Sequence, residues 1–228
     1  MCNPSCIAFV RAELQGAEVS GKSVLEVGAL DVNGSVRPVV ETLNPSSYLG
    51  VDIELGLGVD ELCDVNRLVE RFGENRFDIV IATELVEHLR DWRAGFTNMK
   101  RVLLPGGVML ITTRSRGFPI HGYPWDYWRY EPADMEEIFA DFEVLAIQRD
   151  PEAPGVFIKV RKPNDLATTN GLEDIRLFSV IARRRIRRLG RWADLALMPT
   201  KIMRLIQPAR NKLALRTRLS RLRNRGTV

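Results

Sequence analysis

Short, almost continuously apolar runs alternate with helical stretches between about residues 22 and 161, and this alternation limits the fold more than any other feature. Four such runs lie at 23–27, 47–51, 77–82 and 108–113. Runs of this kind are typical of strands buried on both faces of a parallel sheet. Parallel strands need crossover connections, usually helices, so the pattern predicts a doubly wound α/β fold.

The end of this region predicts a change of strand direction. Apolar runs at 142–147 and 156–160 are separated by a short stretch that contains Pro151, Pro154 and Gly155. Two strands joined by so short a connection have to be antiparallel. We therefore predict a mostly parallel sheet that ends in an antiparallel hairpin.

The net charge of +4 conceals two regions of opposite charge. Residues 1–170 contain 17 basic and 26 acidic residues, whereas residues 171–228 contain 16 basic and 3 acidic residues. Such a contrast indicates an acidic body followed by a separate basic region. We predict a folded domain over residues 1–161, a polar linker over 162–172 and a basic amphipathic helical tail over 173–228.

Length and composition exclude several classes of protein. The 228 residues are 45% hydrophobic and 27% charged, which excludes a wholly disordered or fibrous chain. No apolar run approaches the roughly 18 residues of a transmembrane helix, and the N-terminus lacks the pattern of a secretory signal. Because Cys2, Cys6 and Cys63 are an odd number, we expect free thiols and a cytoplasmic protein.

The carboxyl ends of the predicted strands hold the residues from which a ligand site can be built. The first strand ends at Glu26 and Gly28, and Gly34 lies farther along the loop. Glycine lets the backbone approach a ligand closely, and an acid at position 26 suits a cationic amine. Asp52 ends the second strand, where a carboxylate can bind both hydroxyls of a ribose. Asp64 can accept a hydrogen bond from an adenine amino group.

Six segments together resemble the class I S-adenosylmethionine-dependent methyltransferases over about residues 20–161. These segments are Val24-Leu25-Glu26-Val27-Gly28, Gly50-Val51-Asp52, Asp64, Phe77-Asp78-Ile79-Val80-Ile81-Ala82, Glu87-His88-Leu89 and Leu103-Leu104-Pro105-Gly106-Gly107. The resemblance implies a Rossmann-like, seven-stranded sheet with a terminal antiparallel hairpin and S-adenosylmethionine as the cofactor. It also implies that Glu26 and Gly28 hold the methionine part, Asp52 the ribose and Asp64 the adenine. Thr83, at the end of the fourth strand, is expected beside the ligand.

Two departures from the family pattern concern the cofactor region. The family usually has three alternating glycines after the first acid, whereas this chain offers only Gly28 and Gly34 in a longer turn. The interval from Asp52 to Asp64 is too short for a full helix and predicts an abbreviated connection. Because both carboxylates remain, we expect cofactor binding. A decayed cofactor site would instead leave a noncatalytic binding or scaffold protein.

Two histidines are the candidate catalytic residues. His88 follows the fourth strand, and His121 lies in the aromatic-rich loop 119–130 after the fifth. An imidazole there can remove the proton from an acceptor hydroxyl, so we predict methylation of an oxygen of a small molecule, with nitrogen the weaker candidate. Because the body is acidic and the tail can dock at a membrane, we expect a sugar, glycolipid or polyketide-type intermediate. Alternatively, His88 only shapes the site, the aromatic loop is core, and Asp126 pairs with Arg129.

A metal-dependent alternative comes from acids near His88. A helix predicted over 84–103 places Glu84, Glu87 and His88 on one face, and His121 can be a fourth ligand for a divalent metal ion. The pattern is similar to that of small-RNA 3′-end 2′-O-methyltransferases and of magnesium-using ubiquinone-pathway O-methyltransferases. An RNA 2′-O-methyltransferase is therefore the alternative enzyme. Acids near a helix start also occur as caps, which leaves metal binding open.

Three interpretations of the basic tail remain open. It can be a solvated extension, an amphipathic helix on an anionic membrane surface, or an RNA-binding arm. Apolar residues such as Ile175, Ile181 and Leu189 recur among its arginines and favour the membrane surface. Only Phe178 and Trp192 offer rings for base stacking. We therefore predict a cytoplasmic protein with a membrane-associated tail, and nucleic acid is the weaker candidate partner.

Overall fold

The computed structural model describes residues 3–121, 126–165 and 171–190. The α-helices in these ranges are α1 (Pro4–Glu13), α2 (Gly16–Val19), α3 (Arg37–Glu41), α4 (Leu68–Phe72), α5 (Trp92–Val102) and α6 (Pro132–Ile138). The strands are β1 (Ser23–Val27), β2 (Ser47–Asp52), β3 (Glu61–Leu62), β4 (Phe77–Thr83), β5 (Leu103–Arg114), β6 (Trp128–Arg129), β7 (Glu143–Arg149), β8 (Gly155–Arg161), β9 (Leu177–Ser179) and β10 (Arg184–Ile186). Two short 3₁₀ turns lie at Val65–Arg67 and Val86–His88.

Seven strands form the main sheet in the order β3-β2-β1-β4-β5-β8-β7. The pairs β1–β2, β1–β4, β2–β3 and β4–β5 are parallel, whereas β8 is antiparallel to both β5 and β7. The predicted Rossmann-like sheet and its terminal hairpin are thus confirmed. Strand order reverses between β1 and β4, and in such sheets a ligand binds at the carboxyl ends beside the reversal.

The main sheet separates two apolar cores because successive strand residues point to opposite faces. In β4, Val80 and Ala82 belong to the core that contains buried residues of α4, α5 and α6. Ile79 and Ile81 belong to the core that contains buried residues of α1, α2 and α3. The near-continuous apolar sequence of β4 follows from this burial on both faces.

The connections around the site differ in part from the sequence prediction. The chain between β2 and β3 contains no helix over residues 53–60, as the short interval predicted. The helix predicted over 84–103 is wrong for its first turns, because α5 begins at Trp92. Glu84 has a left-handed backbone with φ of 52°, which interrupts a right-handed helix, and Asp91 caps α5 by accepting from Ala94 N at 3.3 Å.

The basic region folds back onto the body as far as residue 190. Its β9 and β10 pair with each other, and β9 pairs with β6 in a three-stranded antiparallel sheet. The predicted helical tail is therefore wrong for these strands. Its apolar residues Leu172, Ile175 and Leu177 are buried in the core instead of lining a helix face. The predicted domain and linker boundaries stay predictions, and residues 191–228 lie outside the described part.

Arg93 fastens this basic region to α5. Its guanidinium donates to the carbonyl oxygens of Leu172 at 2.7 Å and of Ile175 and Arg187 at 2.5 Å. Each bond satisfies a buried donor whose desolvation would otherwise destabilise the fold. Segment 172–187 therefore belongs to the same folded body as α5. Among the described helices, none is long and apolar enough to span a bilayer.

Candidate active site

A cavity of about 330 Å³ lies where the strand order of the main sheet reverses. Gly28 lines it after β1, Asp52 at the end of β2, and Leu85 and His88 in the turn after β4. Gly28 has φ of 79°, and a Cβ there would lie only 3.0 Å from a Leu85 side-chain carbon. The left-handed backbone thus favours glycine here, and a Cβ would in addition need the Leu85 side chain to shift. We call this cavity the cleft.

Both predicted carboxylates lie in the cleft. Asp52 is half-buried and accepts from Leu30 N at 3.2 Å and Glu54 N at 3.0 Å. These bonds fix the carboxylate between the two loops that leave β1 and β2. Asp64 is exposed and accepts from Asn66 N at 2.9 Å, which caps the first 3₁₀ turn. The cleft therefore presents two oriented carboxylates from neighbouring strand ends.

Three other predicted cofactor residues do not line the cleft. Glu26 and Thr83 are buried in the sheet, and Thr83 lies beside Thr112 in the β4–β5 pair. Gly34 donates its backbone N–H to Asp31 Oδ1 at 2.8 Å and so closes the long turn after β1. These three residues belong to the strands and the turn around the cleft. Any direct contact between them and a cofactor stays a prediction.

Glu26 is a buried acid next to Tyr48. The Tyr48 hydroxyl donates to Glu26 Oε2 at 2.7 Å, while Arg37 pairs with Asp60. Burial raises the pKa of Glu26 to about 7, although the Tyr48 hydrogen bond and the charge of Arg37 oppose the rise. The folded protein therefore accommodates the neutral form of Glu26 far better than the charged form.

A second cavity of about 290 Å³ lies on the other side of the histidines. It is lined by Asn3 and Pro4 at the start of α1, by Glu84 and Arg114 at the ends of β4 and β5, and by His121. Its walls thus combine amide, charged and imidazole groups with the apolar rings of Pro4 and Phe118. The involvement of α1 could not be found from the sequence, because nothing in that segment marks a contact 80 residues away. We call this cavity the outer pocket.

The two histidines join the cleft to the outer pocket. His88 lines the cleft, His121 lines the outer pocket, and their Nε2 atoms are 3.1 Å apart. A hydrogen bond at this distance requires a proton on one nitrogen and a lone pair on the other. The sequence predicted both residues as catalytic, and the structure brings them into direct contact.

Asp126 orients His121. Its Oδ2 accepts from the backbone N–H of His121 at 3.1 Å and lies 3.0 Å from His121 Nδ1, a close charge contact without hydrogen-bond alignment, and its carboxylate also pairs with Arg129. Burial raises the pKa of Asp126, but the hydrogen bonds from Arg129 and the close contact with His121 outweigh burial and hold that pKa at about 2. The pairing predicted as an alternative between Asp126 and Arg129 is therefore present. A permanent anion at Nδ1 favours the tautomer of His121 with its lone pair on Nε2.

Glu87, rather than Glu84, faces the histidines. Glu87 is fully buried, and its Oε1 lies 3.9 Å from His88 Nε2 and 4.0 Å from His121 Nε2. Its Oε2 accepts from Thr113 Oγ1 at 2.8 Å, whereas Oε1 has no hydrogen-bond partner among the described residues. Glu87, His88 and His121 thus form a compact set of metal-type donors.

Glu84 points away from Glu87, His88 and His121. The predicted set of four metal ligands is therefore wrong for Glu84. Its carboxylate pairs with Arg114 and accepts from the Cys6 thiol at 3.5 Å. Arg114 also donates to Asp150 at 2.9 Å. The physical reason is the left-handed backbone of Glu84, which replaces the predicted helix and turns the side chain toward β5.

The described part of the aromatic loop packs mainly in the core. Tyr127, Trp128 and Tyr130 are all buried, and Trp128 Nε1 donates to Leu89 O at 2.9 Å. Core packing, one of the two predicted alternatives, therefore holds for these rings. Residues 122–125 lie outside the described part of the chain.

Comparisons with known proteins agree with this architecture. A family model described as a methyltransferase domain matches residues 6–145. The chain belongs to the class I S-adenosylmethionine-dependent methyltransferases. The sequence resemblance and the cofactor that it implied are thereby confirmed.

Individual relatives match parts of the chain. Over 70 residues it is 34% identical to a ubiquinone biosynthesis O-methyltransferase of Parvibaculum lavamentivorans, covering 31% of this chain and 27% of the relative. The match thus spans about a quarter of that relative. An S-adenosylmethionine-dependent methyltransferase from Mesorhizobium loti gives a TM-score of 0.52 at 15% identity, over 68% of this chain and 96% of that one. Phosphoethanolamine N-methyltransferase 2 of Haemonchus contortus, in complex with S-adenosylmethionine, gives a TM-score of 0.54 at 17% identity. That match covers 70% of this chain and 52% of the other.

The cleft of this methyltransferase fits the cofactor of its family by the chemistry of its donors. Asp52 and Asp64 present carboxylates to the cleft, of the kind that ribose hydroxyls and an adenine amino group need as acceptors, and their contacts with the cofactor stay predictions. Gly28 carries no side chain, and a Cβ there would press against Leu85 on the cleft wall. Leu85 and Val65 supply apolar surface for a ring system.

The raised pKa of Glu26 predicts how the stability of this methyltransferase varies with pH. Because the folded-state pKa of about 7 lies above the ordinary value of 4.5, ionisation disfavours the folded state. The free energy of unfolding should therefore fall by roughly 3 kcal/mol as pH rises from about 4.5 to 7 through this group alone. Glu26→Gln should remove that fall, which urea unfolding at several pH values would measure.

Glu143→Gln is the matched control, because Glu143 is an exposed acid on β7 paired with Arg161. Its pH dependence should follow that of the unmodified chain. If the free energy of unfolding depends on pH equally in Glu26→Gln and in the unmodified chain, the pH dependence does not come from Glu26.

Proposed function

We propose that this protein transfers the methyl group of S-adenosylmethionine to a hydroxyl oxygen of a small molecule. The observation that carries the proposal is the Asp126–His121–His88 chain, which runs from a buried ion pair to the wall of the cleft. The acceptor would bind in the outer pocket, since His121 lines it.

The residues of the site would supply positioning and proton removal. A bound S-adenosylmethionine supplies an activated methyl group on a sulfonium centre. Asp126 keeps the Nδ1 proton on His121, so Nε2 of His121 can take the acceptor hydroxyl proton in place of its contact with His88. His88 and Leu85 line the cleft next to this position and limit the approach of water.

The acceptor class follows from the walls of the outer pocket. Asn3 and Asn33 present amides, Arg114 and Glu84 a charged floor, and Phe118 an aromatic ring. These groups suit a hydroxyl-bearing acceptor such as a sugar, a glycolipid or a polyketide-type intermediate. Similarity to ubiquinone biosynthesis O-methyltransferases supports oxygen as the acceptor atom. The cytoplasm is the compartment that we propose, because the described cysteines Cys6 and Cys63 are free thiols.

The role of His121 is testable once an acceptor is found. Small-molecule extracts, RNA and protein would each be incubated with methyl-labelled cofactor and enzyme, and label should enter the small-molecule fraction. With that acceptor, His121→Gln should lower kcat by about 10²-fold or more, since glutamine cannot take a proton. Its affinity for S-adenosylhomocysteine should stay within about twofold, as expected of a residue outside the cleft lining.

Asp126→Asn is the companion variant, because a neutral amide beside Nδ1 of His121 no longer fixes the tautomer of the ring. This variant should lower kcat, but less than His121→Gln does. A kcat within about threefold of the unmodified chain in His121→Gln would contradict the base assignment. Label confined to RNA or protein would contradict the small-molecule acceptor.

Cofactor binding separates an enzyme from a noncatalytic scaffold. Calorimetric titration of S-adenosylhomocysteine should show micromolar binding that Asp52→Asn weakens by about tenfold or more, since ribose hydroxyls lose a charged acceptor. Asp78→Asn is the matched control: Asp78 also accepts from a backbone N–H, that of Ser23 at 2.9 Å, but lies near the opposite end of the strands. No binding by folded, unmodified protein would favour the scaffold.

A metal-assisted form of the same reaction is a second candidate, supported by the unpartnered Oε1 of Glu87. Two imidazoles and one carboxylate are donors that suit first-row transition metals better than magnesium. Glu87, His88 and His121 would hold such an ion, which would supply Lewis acidity at an acceptor hydroxyl.

The metal-assisted candidate predicts that chelator-treated protein binds one Mn²⁺ or Zn²⁺ per chain in calorimetry. Glu87→Gln should weaken that binding by about tenfold or more, because it removes the charged ligand. Glu84→Gln is the matched control and should leave it unchanged, since Glu84 faces Arg114. If the protein binds no metal and keeps full turnover after chelation, the metal-assisted candidate is wrong. His121 then acts as a base without a metal ion.

A further inference from the structure

An apolar surface beside the cleft has no cover within the described residues. It is formed by residues 53–62, that is, by the connection from β2 to β3 together with β3 at the edge of the main sheet. Four of its large side chains are more than half exposed: Ile53 at 59%, Leu55 at 73%, Leu57 at 76% and Leu62 at 51%. Clustered exposed side chains of this kind mark a binding surface. We call residues 53–62 the edge surface.

The edge surface is also acidic. Residues 52–64 contain five acidic residues and no basic residue. Asp60 pairs with Arg37, and Glu61 pairs with Arg71. An anionic membrane and a second copy of the same edge would both be repelled by this charge.

The described chain ends close to the edge surface. Arg90 lines the cleft together with Ile53, and its Nη2 donates to Gly190 O at 3.4 Å. The next 38 residues, 191–228, contain ten basic residues and one acidic residue among many leucines and isoleucines. At about 3.5 Å per extended residue, a few residues are enough to cross from Arg90 to Ile53.

We propose that residues 191–228 dock on the edge surface of their own chain. Charge complementarity and matching apolar side chains support this occupant, and the position of Gly190 gives it a short path. Leucines and isoleucines of the segment would cover Leu55 and Leu57, and its arginines would lie beside the acids around them. Since Ile53 lines the cleft, the docked segment would lie at the mouth of the cofactor site.

Photo-cross-linking of the full chain tests this docking without any cofactor or acceptor, so its outcome is separate from that of the proposed function. The photoreactive residue p-benzoylphenylalanine replaces Leu57, and cross-linked peptides are mapped by mass spectrometry in the monomer band. We expect cross-links to residues 191–228 with a yield about fivefold or more above that of the same probe at Val144. Val144 is the matched control, since it is 39% exposed on β7 at the opposite edge of the sheet.

Charge dependence gives a second readout in the chain labelled at position 57. Leu55→Lys should lower the cross-link yield severalfold by repelling the basic segment, whereas Val144→Lys should leave it unchanged. Raising salt from about 0.1 M to about 1 M should also lower the yield, because the screening length falls from about 10 Å to about 3 Å.

Three outcomes would overturn the proposal. Cross-links found only in a dimer band would assign the surface to a second copy. Cross-links to lipid instead of residues 191–228, when phosphatidylglycerol vesicles are added, would assign it to a membrane. No cross-link from position 57 to the segment would show that the segment does not dock there.

Discussion

The buried ion pair between Asp126 and Arg129 is the interaction on which the site depends. It holds a carboxylate against His121, and His121 in turn contacts His88 at the wall of the cleft. Without that pair, an ionised Asp126 would be buried at a large cost in free energy. The short sequence from Asp126 to Arg129 therefore keeps Asp126 ionised and holds its carboxylate beside the imidazole of His121.

Features set by local sequence were predictable. Apolar runs located the strands, and a proline- and glycine-containing connection identified the hairpin of β7 and β8. Asp52 and Asp64 were found because parallel strands present their carboxyl ends at one edge of the sheet. His88 and His121 were found because each follows a strand of that same edge. Each of these inferences needed only the hydrophobic periodicity of a segment and the position of that segment along the chain.

Features set by distant packing were not predictable. The left-handed backbone of Glu84 ended a helix that spacing alone predicted, and it left Glu87 as the acid near the histidines. Strand β9 pairs with β6, and β10 pairs with β9, although their sequence is rich in arginine. The reason is that their apolar side chains reach the core and Arg93 donates to the neighbouring carbonyl oxygens. Neither outcome follows from a window of adjacent residues.

Glu26 and Asp126 show why the proton chain is assigned to the outer pocket rather than to the first strand. Both are buried acids, but Glu26 has one hydroxyl donor, from Tyr48, whereas Asp126 has a guanidinium and an imidazole. The pKa of Glu26 therefore rises to about 7 while that of Asp126 falls to about 2. Near neutral pH only Asp126 is reliably an anion, so only Asp126 can keep a proton on a neighbouring imidazole. That difference in partners, rather than in residue type, decides which of the two buried carboxyls is partly neutral near pH 7 and which stays an anion.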